Sequence, residues 1–454
     1  MTRRPIRKLT LVGMSPPLAK PENPALAWDF PSYGLYRVRA SLAAAPGLAD
    51  LEISTLELPM LDAQEVAERI LAERADLVGF SVYLWSFPTL LEAARRLRRA
   101  DPALSLIFGG PSAEPPMCQL PPHRDSAAVL DALVLGEGEI AIRELLADRQ
   151  PDPARWRSIP GLALPADGTW RRTPPRPLNT RLDELPSPAA MGILPRRTVT
   201  YLETFRGCPM SCSFCEWGVM ESGTLFSREY LERELAAIAE LEPTVIFQLD
   251  AALNLNHHAF RNLAAAEREV GCLKRNGLIA LFYPSLVRDE HFEFLAGVRN
   301  VFLTVGLQSL DEQVLSAVDR RVQRDKFERI VRDVIALPNV RSMAVELILG
   351  LPTDSPEKFR SSLEQVLELG VAVRVYKCLV LPNGLMTRAP SEQAVRFDAT
   401  SLLLTSSSGW SERALAEEQE RLTRLADGTP GAYTADYWWY LPARSPRGTE
   451  LAVA

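Results

Sequence analysis

Apolar and polar positions along this chain follow two different periods, and the two periods alternate. Residues 8–13 (KLTLVG) and 76–85 (DLVGFSVYLW) are short, nearly continuous apolar runs, the pattern of strands buried on both faces. Between them, residues 63–75 place Val66, Ile70 and Leu71 on one helical face. Further strands are expected at 51–58, 104–110 and 128–139, the last turning into a helix. Helices are expected at 34–45 and at 88–100, which opens on a proline suited to a first turn. Strands separated by helices of this length imply a doubly wound parallel sheet with helices on both faces. Such a sheet binds ligands at the carboxyl ends of its strands.

The alternation stops at about residue 149. Ten prolines between 151 and 195 interrupt every pattern, so residues 149–197 read as an extended connector. It resumes in a second set of units over 198–425. Strands are expected at 199–205, 244–250, 278–285, 301–309, 341–352 and 373–382, with helices between them. Ser227 caps one helix, Ser309 and Glu312 form a capping box for another, and Ser355 with Pro356 opens a third. This makes roughly six β/α units, short of the eight of a full barrel. The tail from 426 to 454 is aromatic and unassigned.

Composition narrows the class. The 454 residues allow two or three domains, and a net charge of −6 gives no reason to expect a nucleic-acid or membrane partner. No run approaches the ~18 apolar residues of a membrane span. The apolar run after Lys8 is too short for a signal peptide, so a cytoplasmic protein is expected.

The chemistry sits in the cysteines. Of six, three fall within eight residues, at Cys208, Cys212 and Cys215, in the loop RGCPMSCSFCEWG after a predicted strand. A secreted disulfide framework would spread them out. Structural zinc takes four ligands, and the nearest histidines, His257 and His258, are more than forty positions away. Three thiolates instead suit three irons of a [4Fe–4S] cube, leaving the fourth iron open to a substrate or cofactor. Cys118, Cys272 and Cys378 are isolated, and Cys272 and Cys378 read as core residues.

This C-x3-C-x2-C spacing, with the aromatic Phe214 before the last cysteine, resembles the radical S-adenosylmethionine (SAM) superfamily, whose mark follows the first strand of a partial (β/α)6 barrel. The resemblance implies a [4Fe–4S] cluster whose open iron chelates SAM and whose electron cleaves SAM to a 5′-deoxyadenosyl radical. It also implies an electron donor of flavodoxin or ferredoxin type. Later segments match the family's strands in order. These are 245–256 with Asp250, 305–315 with Gln308 and Ser309 near SAM, 345–359 with Gly350 at a turn near adenine, and 376–384 with Leu381 beside it. Phe214 and Trp217 fall by the cofactor on the same footing.

The first 148 residues resemble the cobalamin-binding domain that precedes many such barrels, through segments 30–42, 78–86, 107–114 and 133–146. In the last, Gly136, Glu137 and Gly138 end a strand and open a helix, where backbone N–H groups admit a polar ligand closely. Gly109 and Gly110 allow similar approach. The resemblance places the corrin's lower face near Ser81, Tyr83 and Trp85. Other cobalamin domains supply a cobalt-ligating His after the first strand; here residues 13–23 (GMSPPLAKPEN) contain none. Cobalamin without that ligand suits methyl transfer.

The resemblance, which runs from about residue 8 to 425 with no large extra C-terminal domain expected, implies a methyltransferase. It would carry a methyl group from SAM through methylcobalamin to a carbon of a small metabolite or amino acid, with tryptophan-methylating members among its relatives. Asp250, Glu216 and Glu346 are the candidates for a general base or substrate anchor. Two alternatives share these residues: a rearranging or cyclising enzyme with the same cofactors, and a non-catalytic cobalamin or redox sensor.

Overall fold

The computed structural model describes residues 4–15, 31–217, 223–429, 433–434 and 437–440. The chain forms two compact units, Met1–Arg197 and Thr198–Ala454.

The described residues of the first unit form a seven-stranded sheet in the order β2-β1-β3-β4-β5-β6-β7. Its strands are β1 (Lys8–Met14), β2 (Glu52–Leu58), β3 (Leu77–Ser81), β4 (Ser105–Gly109), β5 (Ala132–Val134), β6 (Leu162–Ala166) and β7 (Thr169–Arg172). The first five pair in parallel, and β6 and β7 join antiparallel. A β-α-β crossover must turn right-handed, so consecutive parallel strands carry helices over the sheet. Helices Tyr33–Ala43 and Gly138–Leu146 pack on each other and contribute Leu35, Leu42, Ile142 and Leu146 to a core that includes Leu9, Leu11 and Ile107 of the sheet.

Three expectations differ from this arrangement. The strand expected over 76–85 stops at Ser81, because the chain folds into a turn in which the Ser86 hydroxyl accepts from the Tyr83 N–H at 3.0 Å. Leu71 is 40% exposed, one step of about 100° past the buried face that Val66, Ala67 and Ile70 make. Part of the proline-rich stretch is strand, for β6 pairs with β5 through Leu133 and Ala163. Pro165 is tolerated because it lies near the end of β6, facing only the last strand, β7.

In the second unit the described strands are β8 (Val199–Leu202), the small hairpin β9 (Phe205–Arg206) and β10 (Thr224–Leu225), then β11 (Val245–Gln248), β12 (Gly277–Leu281), β13 (Asn300–Gln308), β14 (Val340–Leu349) and β15 (Ala372–Lys377). A pair, β16 (Arg396–Phe397) and β17 (Leu404–Ser406), follows, then β18 (Tyr433–Thr434) and β19 (Tyr437–Tyr440). Strands β8, β11, β12, β13, β14 and β15 are parallel neighbours, and β19 adds antiparallel to β15. This is the six-stranded parallel sheet of a partial barrel. Along β13 every second residue is buried, while Thr304, Gly306 and Gln308 stay half-exposed on the other face.

The capping box expected at Ser309 and Glu312 is absent. Helix Glu312–Ala317 is capped by Asp311, whose carboxylate accepts from the Val314 N–H at 3.0 Å. The Ser309 hydroxyl instead accepts from the Asp311 N–H. Most of the aromatic tail, and residues 16–30 with most of the His-free stretch 13–23, lie outside the described residues.

Candidate functional site

The cysteine loop leaves the carboxyl end of β8 and is held there by Asp250. This carboxylate is 1% exposed at the end of β11. It accepts from the N–H groups of Thr204 at 2.9 Å and Phe205 at 3.3 Å, and from the Thr204 hydroxyl and the Gln248 amide. Burial pushes its pKa up to about 7, against these donors, which favour the charged form. Asp250 thus ties two adjacent strand ends together three residues before the loop begins.

Cys208, Cys212 and Cys215 are free thiols, Cys212 buried and the other two half-buried. Burial raises the pKa of Cys208 and Cys215, while nearby backbone N–H groups and Arg320 pull them back. Among the described residues no three His, Cys, Asp or Glu side chains are grouped to hold a single metal ion. A cube makes a different demand, since each thiolate takes its own iron. Three unbridged thiols in one glycine- and proline-bearing loop, with two guanidinium groups against it, fit that donor set.

Two later segments close round the loop. After β15, the chain returns so that the Asn383 N–H donates to Glu216 at 3.0 Å. Gly384 packs so tightly that a Cβ there would lie 3.0 Å from the Phe214 carbonyl oxygen. The Gly384 N–H bonds the Leu381 carbonyl at 3.0 Å. Arg388 donates to the carbonyls of Ser211 at 3.3 Å, Cys212 at 2.9 Å and Cys215. After β13, the Ser213 N–H donates to Val318 at 3.1 Å, and Arg320 reaches the Cys212 sulfur at 3.8 Å. Arg320 and Arg388 went unrecognised in the sequence because each acts across more than a hundred residues. No local motif marks either.

The other candidates of this unit fall into distinct places. Gln308 ends β13 at a register shift, with φ of 77° unusual for a residue with a side chain. Ser309 is buried, 3.4 Å from the Ser362 hydroxyl. Glu346 sits on β14 within 3.4 Å of Arg374 and 3.3 Å of the Tyr376 hydroxyl, and burial raises its pKa against the pull of Arg374. Gly350 has φ of 102°, and a Cβ there would meet Leu415, Cys378 and Leu404, so its glycine serves the turn itself. Trp217 is 45% exposed.

In the first unit the candidates gather at the carboxyl ends of β3, β4 and β5. Gly110 has φ of 99°, and a Cβ there would stand 2.9 Å from the Val82 carbonyl oxygen and 3.4 Å from the Ser81 hydroxyl. The Val82 N–H bonds Gly109 at 2.7 Å. Gly136 has φ of 69° beside open space, Glu137 is the residue before helix Gly138–Leu146, and Gly138 abuts Val38. Tyr83 and Trp85 stack at 4.5 Å with their planes 12° apart, and Trp85 is 39% exposed. A bare glycine-lined backbone beside a flat aromatic surface fits a large, planar ligand with polar arms. The single described histidine of this unit, His123, is buried against Phe87. Among the described residues no helix is long and apolar enough to cross a membrane.

Comparison with known families agrees with both halves. Residues 26–146 match the B12 binding domain, and residues 202–366 match the radical SAM superfamily. The chain thus carries a B12 binding domain followed by a domain of the radical SAM superfamily. It is 32% identical over 333 residues to 2-(S-pantetheinyl)-carbapenam-3-carboxylate methyltransferase of Streptantibioticus cattleyicolor, an overlap of 68% of this chain and 47% of that protein. It is 30% identical over 349 residues to TokK of Streptomyces tokunonensis, a cobalamin-dependent radical SAM methyltransferase, covering 71% and 49%. The chain spans about half the length of these curated relatives. The fold also resembles TsrM of Kitasatospora setae, a radical SAM methyltransferase solved with tryptophan and a SAM analogue. That match has a TM-score of 0.61 at 18% identity and covers 84% of this chain and 75% of TsrM.

Proposed function

We propose that this protein is a cobalamin-dependent radical SAM methyltransferase acting on a carbon of a small metabolite or amino acid. The observation that carries the reading is the cysteine loop, three unbridged thiols held by segments following β8, β11, β13 and β15. The similarity to two methyltransferases supports it. A [4Fe–4S] cluster with SAM supplies a one-electron route to a carbon radical, and cobalamin supplies a methyl carrier.

The chain's own residues divide the work. Cys208, Cys212 and Cys215 would hold the cluster, one thiolate to each of three irons. Asp250, Glu216 and Arg388 act as positioning residues that fix the loop. Gln308, at the end of β13, and Ser309 beside it would hold SAM, with Phe214, Trp217, Leu381 and Gly350 as its other candidate neighbours. Glu346, between Arg374 and Tyr376, is the candidate proton acceptor or substrate anchor. Ser81, Gly109, Gly110 and the stretch Gly136–Glu137–Gly138 would admit a corrin, and the stacked Tyr83 and Trp85 would offer it a flat surface. A one-electron donor of flavodoxin or ferredoxin type and a reducing cytoplasm complete the reading.

The experiment is anaerobic reconstitution with iron, sulfide and hydroxocobalamin, then incubation with SAM, a reductant and candidate substrates. S-adenosylhomocysteine together with a product heavier by one CH2 unit is expected. A product of unchanged mass favours rearrangement or cyclisation. Formation of neither S-adenosylhomocysteine nor 5′-deoxyadenosine favours a sensor.

A further inference from the structure

The chain after β13 runs through helix Glu312–Ala317 and reverses at Asp319, whose φ of 53° is left-handed. The reversal brings back Arg320, whose N–H donates to the Leu315 carbonyl at 2.8 Å. Its guanidinium is then held on three sides. Nη2 donates to the Gly306 carbonyl, the group lies 4.8 Å from the centre of the Tyr283 ring, and Nη1 stands 3.8 Å from the Cys212 sulfur. Among the described residues no carboxylate forms an ion pair with it, and its Nε is buried without a hydrogen-bond partner. Its charge favours the ionised forms of Cys208 and Cys215 and also reaches the Glu346 carboxylate, which stands beside Arg374.

We propose that Arg320 raises the reduction potential of the cluster by holding a permanent positive charge against Cys212. The proposal rests on the reading of Cys208, Cys212 and Cys215 as cluster ligands. Reduction takes one electron from an external one-electron donor, adds one negative charge to the cluster, and makes or breaks no bond. A fixed cation beside a ligand sulfur stabilises the reduced form more than the oxidised form. Hydrogen bonds to sulfur and local charge are the protein's means of setting such potentials. A guanidinium keeps its charge at every working pH, and Tyr283 and Gly306 fix its direction. Cys212 is 4% exposed, so water screens the interaction poorly.

The test is an anaerobic redox titration without SAM, followed by the electron paramagnetic resonance signal of the reduced cluster. Wild type, Arg320→Lys and Arg320→Gln are compared after each has been assayed for iron. Arg320→Gln is expected to lose about tenfold in the reduction equilibrium constant, which is about 59 mV for a one-electron couple. Arg320→Lys, which keeps the charge, should stay within about threefold of wild type, the equivalent of about 28 mV by the same constant. Should Arg320→Gln not retain iron, Arg320→Met takes its place as a neutral side chain able to lie on Tyr283. Equal constants in wild type and the neutral variant would overturn the proposal. So would equal losses in the neutral and lysine variants. About four irons per chain keeps the cluster reading intact whatever the potentials do. Wild type without iron would overturn that reading and the proposal with it.

Discussion

Replacing Asp250 with alanine removes the one acceptor that the Thr204 and Phe205 N–H groups share. The site is 1% exposed, so water does not substitute freely. A buried donor left without a partner costs about 1–3 kcal/mol, and two such groups about 2–6 kcal/mol. At about 2–4 °C per kcal/mol for a domain of this size, a loss near ~3 kcal/mol lowers the melting temperature by about 6–12 °C. Asp250→Asn should be milder. Its oxygen can keep the two backbone donors, and the Gln248 amide can turn to offer its own oxygen, which has no partner now. The expected cost is about 1 kcal/mol. Acidity provides a second reading. The folded pKa of about 7 lies above the ordinary 3.8, so the folded protein holds a proton that the unfolded chain releases between those values. Asp250 therefore contributes stability that is fully present below pH ~4 and is lost as pH rises through about 7. The melting-temperature difference between wild type and Asp250→Asn should shift against wild type over that window. Anaerobic thermal melts followed by circular dichroism measure all three proteins. A fall under about 2 °C for Asp250→Ala would refute the claim that this carboxylate staples β8 to β11.

Other substitutions probe the rest of the site. Gly384→Ala places a Cβ 3.0 Å from the Phe214 carbonyl oxygen and should displace the loop, giving fewer irons per chain after reconstitution. Arg388→Gln removes donors from the carbonyls of Ser211, Cys212 and Cys215, so a chelator should strip iron several-fold faster than from wild type. Gly110→Ala forces a left-handed backbone, about 1–2 kcal/mol, and a contact 2.9 Å from Val82. It should lower both the melting temperature and the corrin retained on gel filtration.

The elements that could be read from sequence were those whose partners are implied by their own pattern. The apolar run KLTLVG is a strand buried on both faces, and TVIFQLD holds the short strand β11, buried except at half-exposed Phe247; neither needs knowledge of a neighbour. Strands β6 and β7 were hidden because the signal of Leu162 and Leu164 is weak between prolines and acquires meaning only beside β5. The Ser-x-x-Glu pattern at Ser309 misled for a related reason. Asp311 lies closer to the helix start and takes the cap, freeing Ser309 to meet Ser362, fifty-three positions away. The three cysteines were legible because their chemistry is written in spacing alone. Arg320 and Arg388 were not, since a guanidinium announces no partner until the fold supplies one. Asp250 was singled out as a candidate base, and its hydrogen bonds point to a positioning role.

The central claim is that Cys208, Cys212 and Cys215 hold an iron–sulfur cluster in a chain that also binds a corrin. Its most direct test is the iron, sulfide and corrin content of anaerobically reconstituted wild type, beside a variant with all three cysteines changed to alanine. The account predicts about four irons and four sulfides per wild-type chain, one retained corrin in both proteins, and almost no iron in the variant. Equal iron in the two proteins, or zinc in place of iron, would contradict it.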